Sequence, residues 1–247
     1  MRYNKDENYF QIINTEEKAY FLGLLFADGT VASNRISATG KLIKRNQIAI
    51  GLQERDKHIL IKFLQEINSN YPIYDIPNNL KNGNWSNQCC VTITSEKMSQ
   101  DLIKLGCVPN KTKKLQFPTI EQVPDNLLFS FIRGYFDGDG CIWIGKRKKI
   151  EFNDGAIGKK RTRIIHNMKF TFTGNIDFVT GLKTCLVQKI GLKDVKLQNY
   201  KNPTNVTLEY SGRKNIEKLY NFMYNDSAVC LTRKKIIFDQ ILQRANI

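Results

Sequence analysis

The chain has 247 residues, of which 41% are hydrophobic and 25% charged, proportions typical of a globular protein with a sizeable core. Lysine and arginine outnumber acidic residues by 38 to 23, and the net charge of +15 indicates a polyanionic partner such as a nucleic acid. The longest apolar run, residues 19–27, is too short for a membrane span, and neither the N-terminal residues nor the cysteine spacing indicates secretion or a zinc site. We therefore expect an intracellular protein that is not associated with a membrane.

The first predicted element is a helix that Asn14 or Thr15 can cap and that ends at Asp28-Gly29, where the glycine fits a helix C-cap. Apolar residues at helical spacing predict a second helix over residues 56–67. The other elements of this half are strands near residues 30–37, 47–52, 71–76 and 89–94, and a helix over residues 96–105.

Residues 106–124 contain three prolines and show no sustained period, so we interpret them as a linker. The boundary is placed at about residue 118, which gives an N-terminal half of residues 1–117 and a C-terminal half of residues 118–247. In the second half Asp125 can cap a helix over residues 126–138. The elements after it are strands near residues 141–152, 164–173, 195–200 and 206–210, and helices over residues 178–190, 214–224 and 232–242.

The order αββαββα therefore occurs twice, which predicts an α+β fold of two pseudo-twofold-related halves with antiparallel sheets. The two Asp-Gly helix ends lie 139 − 28 = 111 residues apart, a distance that indicates duplication of a whole domain.

Small residues recur on one face of each of the two repeated helices. Gly23 and Ala27 are four residues apart in the first helix, and Gly134 and Gly138 are four apart in the second. Because facing small residues let two helix backbones approach closely, we expect the two helices to pack along these faces.

Such packing brings Asp28 and Asp139 together at the same end of the helix pair. Two carboxylates at helix C-termini are disfavoured by the helix dipoles and by each other, and divalent cations remove both penalties. Mg²⁺ prefers carboxylate oxygens together with water and phosphate oxygens, and Mn²⁺ is satisfied by the same ligands. We therefore predict a metal site that can activate water against a phosphodiester.

The two motif segments are residues 21–29, FLGLLFADG, and residues 132–140, IRGYFDGDG. They resemble the paired LAGLIDADG motifs of homing endonucleases, and their spacing resembles the double-motif, monomeric branch of that family. The first copy departs from the motif at Phe26, where the family often has an acid, whereas the second copy keeps Asp137.

The resemblance implies that Asp28 and Asp139 are the catalytic metal ligands of a site-specific endonuclease. It also implies that each half's four-stranded sheet forms a saddle along the major groove of double-stranded DNA. Such an enzyme makes metal-dependent cuts in both strands of a long, pseudo-palindromic target.

Basic residues at the expected hairpin tips are interpreted as phosphate contacts, although such runs also occur as solvated loops. These residues are Lys41, Lys44, Arg45, Lys146, Arg147, Lys148, Lys159, Lys160, Arg161 and Arg163. Gln53, at the end of the second strand, is a further candidate DNA contact that could read a base or orient water.

Family enzymes use a lysine near each active site, and Lys111 and Lys234 are favoured here for that role. An offset of 121 residues between two similar segments instead pairs Lys113 with Lys234. The alternative is that these lysines only contact the DNA backbone.

A different class of function remains open on the same scaffold. An RNA maturase that assists intron splicing, or a DNA-binding protein that does not cleave, would use the same sheets. Loss of one metal aspartate is the usual signature of such a protein, and both are present here, which favours cleavage.

Overall fold

The computed structural model describes residues 3–32, 34–77, 86–152, 160–199, 205–224, 227 and 229–243. For residues 35, 147–152 and 160–166 it describes the backbone alone. Within these ranges no helix is both long and apolar enough to cross a membrane.

The N-terminal half places one antiparallel sheet beside three helices. Its elements in chain order are α1 (Glu16–Ala27), β1 (Gly29–Val31), β2 (Arg35–Ile36), β3 (Leu42–Ile43), β4 (Gln47–Gln53), α2 (Lys57–Glu66), β5 (Tyr74–Ile76), β6 (Gln88–Thr94) and α3 (Glu96–Lys104). Strands β1, β4, β6 and β5 form a four-stranded antiparallel sheet in that order. The short strands β2 and β3 pair only with each other, so the expected strand over residues 30–37 is interrupted.

The C-terminal half repeats this plan with longer strands. Its elements are α4 (Leu128–Asp139), β7 (Gly140–Phe152), β8 (Lys160–Asn175), α5 (Ile176–Ile190), β9 (Asn205–Ser211), α6 (Arg213–Tyr224) and α7 (Thr232–Gln243). Strands β7, β8 and β9 form an antiparallel sheet in that order. The predicted α+β fold with two αββαββα halves is confirmed, apart from the local differences described below.

The prediction of a strand near residues 195–200 is wrong for residues 195–199, the part of this segment that the structure describes. A single bridge between Gln198 and Thr207 extends the sheet beyond β9 at this place. Side chains bind the neighbouring carbonyl groups: the Tyr210 hydroxyl donates to Lys193 O at 2.7 Å, and Lys183 Nζ donates to Val195 O at 3.4 Å. Since these carbonyls are satisfied by side chains, they do not need a strand partner.

The helix starts follow the predicted capping in the first half only. Thr15 caps α1, and its hydroxyl accepts from the Lys18 backbone N–H at 3.3 Å. The predicted cap at Asp125 is wrong, because a short 3₁₀ turn (Asp125–Leu127) precedes α4 and the Asp125 carboxylate pairs with Lys189 instead.

The glycines after the two central helices do not adopt the left-handed conformation expected of a C-cap. Gly140 caps α4 with a φ of −94°, and Gly29 already begins β1. A Cβ atom at Gly29 would lie 2.6 Å from Leu25 Cα, and one at Gly140 would lie 2.7 Å from Phe136 Cε2. Glycine is therefore needed because each strand turns back closely over the last helical turn.

Helices α1 and α4 pack against each other through the predicted glycine faces. A Cβ atom at Gly23 would overlap the Phe131 carbonyl oxygen and lie 2.9 Å from the Tyr135 nitrogen. A Cβ atom at Gly134 would likewise overlap the Tyr20 carbonyl oxygen. The two backbones are therefore in direct contact at the centre of the molecule, as predicted.

We predict that Gly134→Ala destabilises the protein by about 1–3 kcal/mol or more, because the added methyl group must displace a helix backbone. Gly51→Ala is the matched control, since its Cβ atom would meet no atom within 4 Å. The control should change the free energy of unfolding by less than about 1 kcal/mol. Urea unfolding of both variants measures the difference, and equal stabilities would contradict the packing described here.

Candidate active site

The site lies where α1 and α4 end side by side. Asp28 is the C-cap of α1, Asp139 is the last residue of α4, and both side chains are exposed. The Asp28 carboxylate lies against Gly138, because a Cβ atom there would be 3.1 Å from Asp28 Oδ2 and would overlap Ala27 Cβ. The structure therefore brings the two predicted aspartates to the same end of the helix pair.

The Asp28 carboxylate acts electrostatically on Asp139. Partial desolvation, followed by the negative charge of Asp28, raises the pKa of Asp139 to about 6. Desolvation also raises the pKa of Asp28, while the charges of Lys234 and Lys111 oppose this shift. The free protein therefore holds two acids in a place where their ionisation is unfavourable.

Lys111 and Lys234 lie at equivalent places at the ends of the two central helices. Lys111 Nζ donates to Ala27 O at 2.9 Å and to Gly29 O. Lys234 Nζ donates to Asp137 O at 2.7 Å, to Gly140 O at 2.6 Å and to Phe136 O. Each ammonium group therefore binds carbonyls at a helix C-terminus, where a positive charge is favourable.

The contacts correct the offset that paired Lys113 with Lys234. Lys113 is exposed in a short 3₁₀ turn (Lys111–Lys113), and the lysines with equivalent contacts are 234 − 111 = 123 residues apart. The offset that the contacts give is therefore two residues larger than the offset of 121 that the similarity of the two segments suggested.

The two lysines are not in the same environment. Lys234 is 4% exposed, and burial lowers its pKa to about 8 although the charges of Asp137 and Asp28 oppose the shift. Its three N–H groups all have carbonyl acceptors, whereas Lys111 is half-buried and has two acceptors among the described residues. Among the described residues, Lys111 thus has one N–H without an acceptor, which is available for another group.

The donor set at the helix ends fits a hard divalent cation that keeps water ligands. No group of three or more His, Cys, Asp or Glu side chains in the described ranges could enclose a metal ion. Two exposed carboxylates can bind Mg²⁺ or Mn²⁺ if water and phosphate oxygens complete the coordination. A cavity of about 210 Å³ adjoins this place and is lined partly by Lys111, Tyr135 and Asp139.

Sequence reasoning missed a buried polar network behind Asp139. The carboxylate of Asp137 accepts hydrogen bonds from Tyr20 Oη at 2.8 Å, Tyr224 Oη at 3.0 Å and the Leu231 backbone N–H at 2.7 Å. Arg133, also fully buried, lies one turn earlier in α4. The available signal was the presence of Arg133 and Asp137, in addition to Asp139, on a mainly apolar helix.

A second missed contact joins the two halves beside Asp28. Arg233 Nε, in the first turn of α7, donates to the buried carboxylate of Asp56 at 2.9 and 3.1 Å. Asp56 ends the 3₁₀ turn that follows β4, so this pair connects the two halves across 177 residues of sequence. Neither residue belongs to a motif, which is why the sequence did not reveal the pair.

The basic residues predicted to bind DNA are placed differently in the two halves. Lys41 and Arg45 are exposed, and Arg45 lines a hollow of about 480 Å³ on the open face of the first sheet. Lys44 forms an ion pair with Glu96 at 2.8 Å. Gln53 Oε1 accepts a hydrogen bond from Arg55 at 2.7 Å at the end of β4.

The second basic group does not form a hairpin tip as predicted. Lys146, Arg147 and Lys148 lie within β7, and Lys160, Arg161 and Arg163 lie within β8, where the two long strands pair over their full length. Lys159 falls outside the described residues. Basic positions therefore follow the body of the β7–β8 hairpin, which extends farther than the sequence pattern indicated.

The open face of the second sheet carries large polar and aromatic side chains. Trp143 is 47% exposed on β7, opposite Lys169 on β8, and its indole ring lies over Gly145. Lys169 pairs with Glu209 of β9 at 2.9 Å. These side chains border a hollow of about 570 Å³.

Comparisons with known proteins identify the fold. No protein-family model and no curated protein sequence matches the chain. Solved structures do match: the I-LtrWI LAGLIDADG homing endonuclease bound to target DNA, at 13% identity and a TM-score of 0.58, covers 93% of this chain and 91% of its own. The meganucleases I-AabMI and I-CpaMI, both bound to uncleaved DNA, match at 12% and 14% identity with TM-scores of 0.56 and 0.54. Their coverage is 92% of this chain and 91% of I-AabMI, and 94% of this chain and 93% of I-CpaMI.

The chain therefore has the LAGLIDADG homing endonuclease fold, and the resemblance stated from the two motif segments is confirmed at the level of fold.

The raised pKa of Asp139 predicts a pH-dependent gain of stability in Asp139→Asn. The protonated carboxyl stabilises the fold at low pH, and this stabilisation is lost as the pH rises through about 6. At pH 8 the variant should therefore be more stable than the wild type by about 1 kcal/mol, with allowance for solvent screening. That gain raises Tm by about 2–4 °C, and it should vanish near pH 4.

Thermal melting between pH 4 and pH 8, without divalent metal, measures this difference. Asp194→Asn is the control, because that side chain is 72% exposed and lies outside the helix pair. A Tm for Asp139→Asn that is not above the wild type at pH 8 would contradict the unfavourable ionisation described here.

Proposed function

We propose that the protein is a site-specific endonuclease that makes metal-dependent cuts in both strands of a long, pseudo-palindromic DNA target. The observation that carries the proposal is the pair of exposed carboxylates, Asp28 and Asp139, at the touching ends of α1 and α4. Relatives of the same fold were solved in complex with DNA, and the net charge of +15 suits the same partner. One chain supplies both aspartates, so we expect it to act as a monomer.

In this proposal Asp28 and Asp139 are the metal ligands, with Mg²⁺ as the expected ion and Mn²⁺ as an alternative. The bound ion would lower the pKa of an attacking water and stabilise the leaving 3′ oxygen. The lysines at the helix ends supply positive charge beside the carboxylates and limit their mutual repulsion.

The contributions of the two lysines differ in kind. Lys111 keeps an N–H that can meet a phosphate oxygen or a water molecule. Lys234 is buried and uses its N–H groups on backbone carbonyls, so it acts through its charge and through the position of the helix end. Both lysines are candidate catalytic residues, and their different contacts predict different roles.

The open faces of the two sheets are the proposed DNA interface. Side chains on alternate positions of β4, β6, β8 and β9 point to one face, where polar groups could read base edges in the major groove. In the second sheet this face holds Trp143 beside the Lys169–Glu209 pair. Exposed Lys41, Arg45 and Lys146 are proposed to contact phosphates.

The cleavage test uses a randomised duplex library incubated with and without Mg²⁺. We predict sequence-selective cuts in both strands that Asp28→Asn and Asp139→Asn each reduce by at least about 100-fold, because each variant removes a charged metal ligand. Asp194→Asn, which changes an exposed acid elsewhere, should leave cutting unchanged. Sequence-specific binding without any cut in the presence of metal would instead support the maturase or the non-cleaving binding protein.

The interface test uses tryptophan fluorescence. Replacing Trp85, the other tryptophan of the chain, by phenylalanine leaves Trp143 as the sole reporter. We predict that target DNA changes the Trp143 emission, and that the affinity falls linearly on a log–log plot as salt increases. DNA binding that leaves the emission unchanged would place the interface on another surface.

A further inference from the structure

The two central helices differ at two equivalent buried positions. Residues 111 apart in sequence correspond, so Arg133 and Asp137 of α4 match Leu22 and Phe26 of α1. All four side chains are buried, but only the α4 pair is charged. Because burying a charge is costly unless it is fully hydrogen-bonded, the α4 pair needs specific partners.

Those partners lie mainly in the connection between α6 and α7. Asp137 accepts from the Leu231 backbone N–H at 2.7 Å, directly before α7, and from the hydroxyl of Tyr224, the last residue of α6. Arg133 Nε donates to Val229 O at 2.9 Å, and its Nη1 donates to Met223 O. The two α4 side chains therefore hold both ends of the connection.

This connection determines where Lys234 lies. Leu231 O accepts the backbone N–H of Lys234 at 3.0 Å, so the residue held by Asp137 begins the helical turn that carries the lysine. The Lys234 ammonium group then reaches the carbonyls at the end of α4, including Gly140 O at 2.6 Å. A shift of α7 by about 1 Å would break hydrogen bonds of this length, with the loss of rate expected for misplaced groups.

The first half positions its lysine by other means. Lys111 begins a short 3₁₀ turn that follows Asn110, whose φ is +55°. The backbone N–H of Leu115 donates back to Lys111 O at 3.0 Å. Neither Leu22 nor Phe26 has a polar group that could hold this segment, so a defect behind α4 should displace Lys234 and leave Lys111 in place.

We infer that Asp137, together with Arg133, is a positioning residue for Lys234, and that it thereby controls the cutting of one DNA strand selectively. The inference rests on the proposed endonuclease activity. It adds that Lys111 and Lys234 are positioned by different contacts. Asp137 does not touch the substrate in this account; it acts through Leu231 and the first turn of α7.

The experiment follows the two strands of the selected target separately, each with its own fluorescent label. Lys234→Met first identifies the strand whose cutting depends on Lys234. We expect Asp137→Leu to slow that strand by about 10–100-fold relative to the other strand, the range typical of residues that orient a catalytic group. Asp137→Asn keeps an oxygen that can accept from the Leu231 N–H. Its ratio of the two strand-cutting rates should therefore stay close to that of the wild type.

Tyr20→Phe is the matched control, because it removes one hydrogen bond from the same carboxylate without touching α7. It should lower Tm and leave the ratio of the two strand rates unchanged. If Asp137→Leu does not fold, Arg133→Met tests the same connection through Val229 and Met223. It should slow the cutting of the same strand that depends on Lys234.

A second measurement does not depend on cutting. Labelling with an amine-reactive reagent, followed by mass spectrometry, should find Lys234 protected in the wild type and accessible in Asp137→Leu, while Lys111 labels equally in both. Equal slowing of both strands, or unchanged protection of Lys234 in the folded variants, would overturn the inference. A wild type that cuts no target but shows this change in labelling would overturn the proposed endonuclease and leave the positioning of Lys234 supported.

Discussion

The backbone contact between α1 and α4 is the constraint on which the rest of the structure depends. Gly23 and Gly134 each lie against a carbonyl group of the opposite helix, so neither position accepts a side chain. This contact fixes the rotation and the height of one helix against the other, and both helices end at the same level. The two sheets, whose first strands begin at Gly29 and Gly140, directly after the two aspartates, are set on either side of that point. The placement of Asp28 and Asp139 is therefore a result of backbone packing and does not depend on long side chains that must be held in place.

Charged groups of both signs surround this point. Desolvation and the charge of Asp28 make the ionisation of Asp139 unfavourable, desolvation does the same for Asp28, and the charges of Lys111 and Lys234 offset part of both effects. The first half places Lys111 at partial exposure beside apolar Phe26, whereas the second half buries Lys234 beside Asp137. The two halves have thus reached the same arrangement of backbone carbonyls and ammonium groups through different interiors. In the second half Asp137 accepts three hydrogen bonds and Arg133 donates three, and such pairing is the condition under which buried charges are tolerated.

Local patterns were sufficient to predict the element order, the glycine faces and the two aspartates, because each depends on residues close in sequence or on a repeat. The α2 segment, with Ile59 and Phe63 one turn apart, is an example: its periodicity predicted its burial. The features that were wrong or missed depend on distant partners. Asp125 pairs with Lys189 instead of capping its helix, and the carbonyls near residue 195 bind side chains instead of a strand. The Asp137 network joins α1, α4 and the start of α7, and no local pattern reveals residues that meet only after folding.

The open faces of the two sheets differ in the size of the side chains that they present. The β4 strand presents Ala49 and Gly51, with no atom within 4 Å of a Cβ added at Gly51, whereas the β7 strand presents Trp143 at the level of Lys169. Two identical faces would accept a duplex equally well after it is turned end for end. The two faces of this protein are not identical, because one leaves open space and the other presents an indole ring. Under the proposed function, a single polypeptide built in this way would bind a double helix in one direction, with different sequences to its left and right.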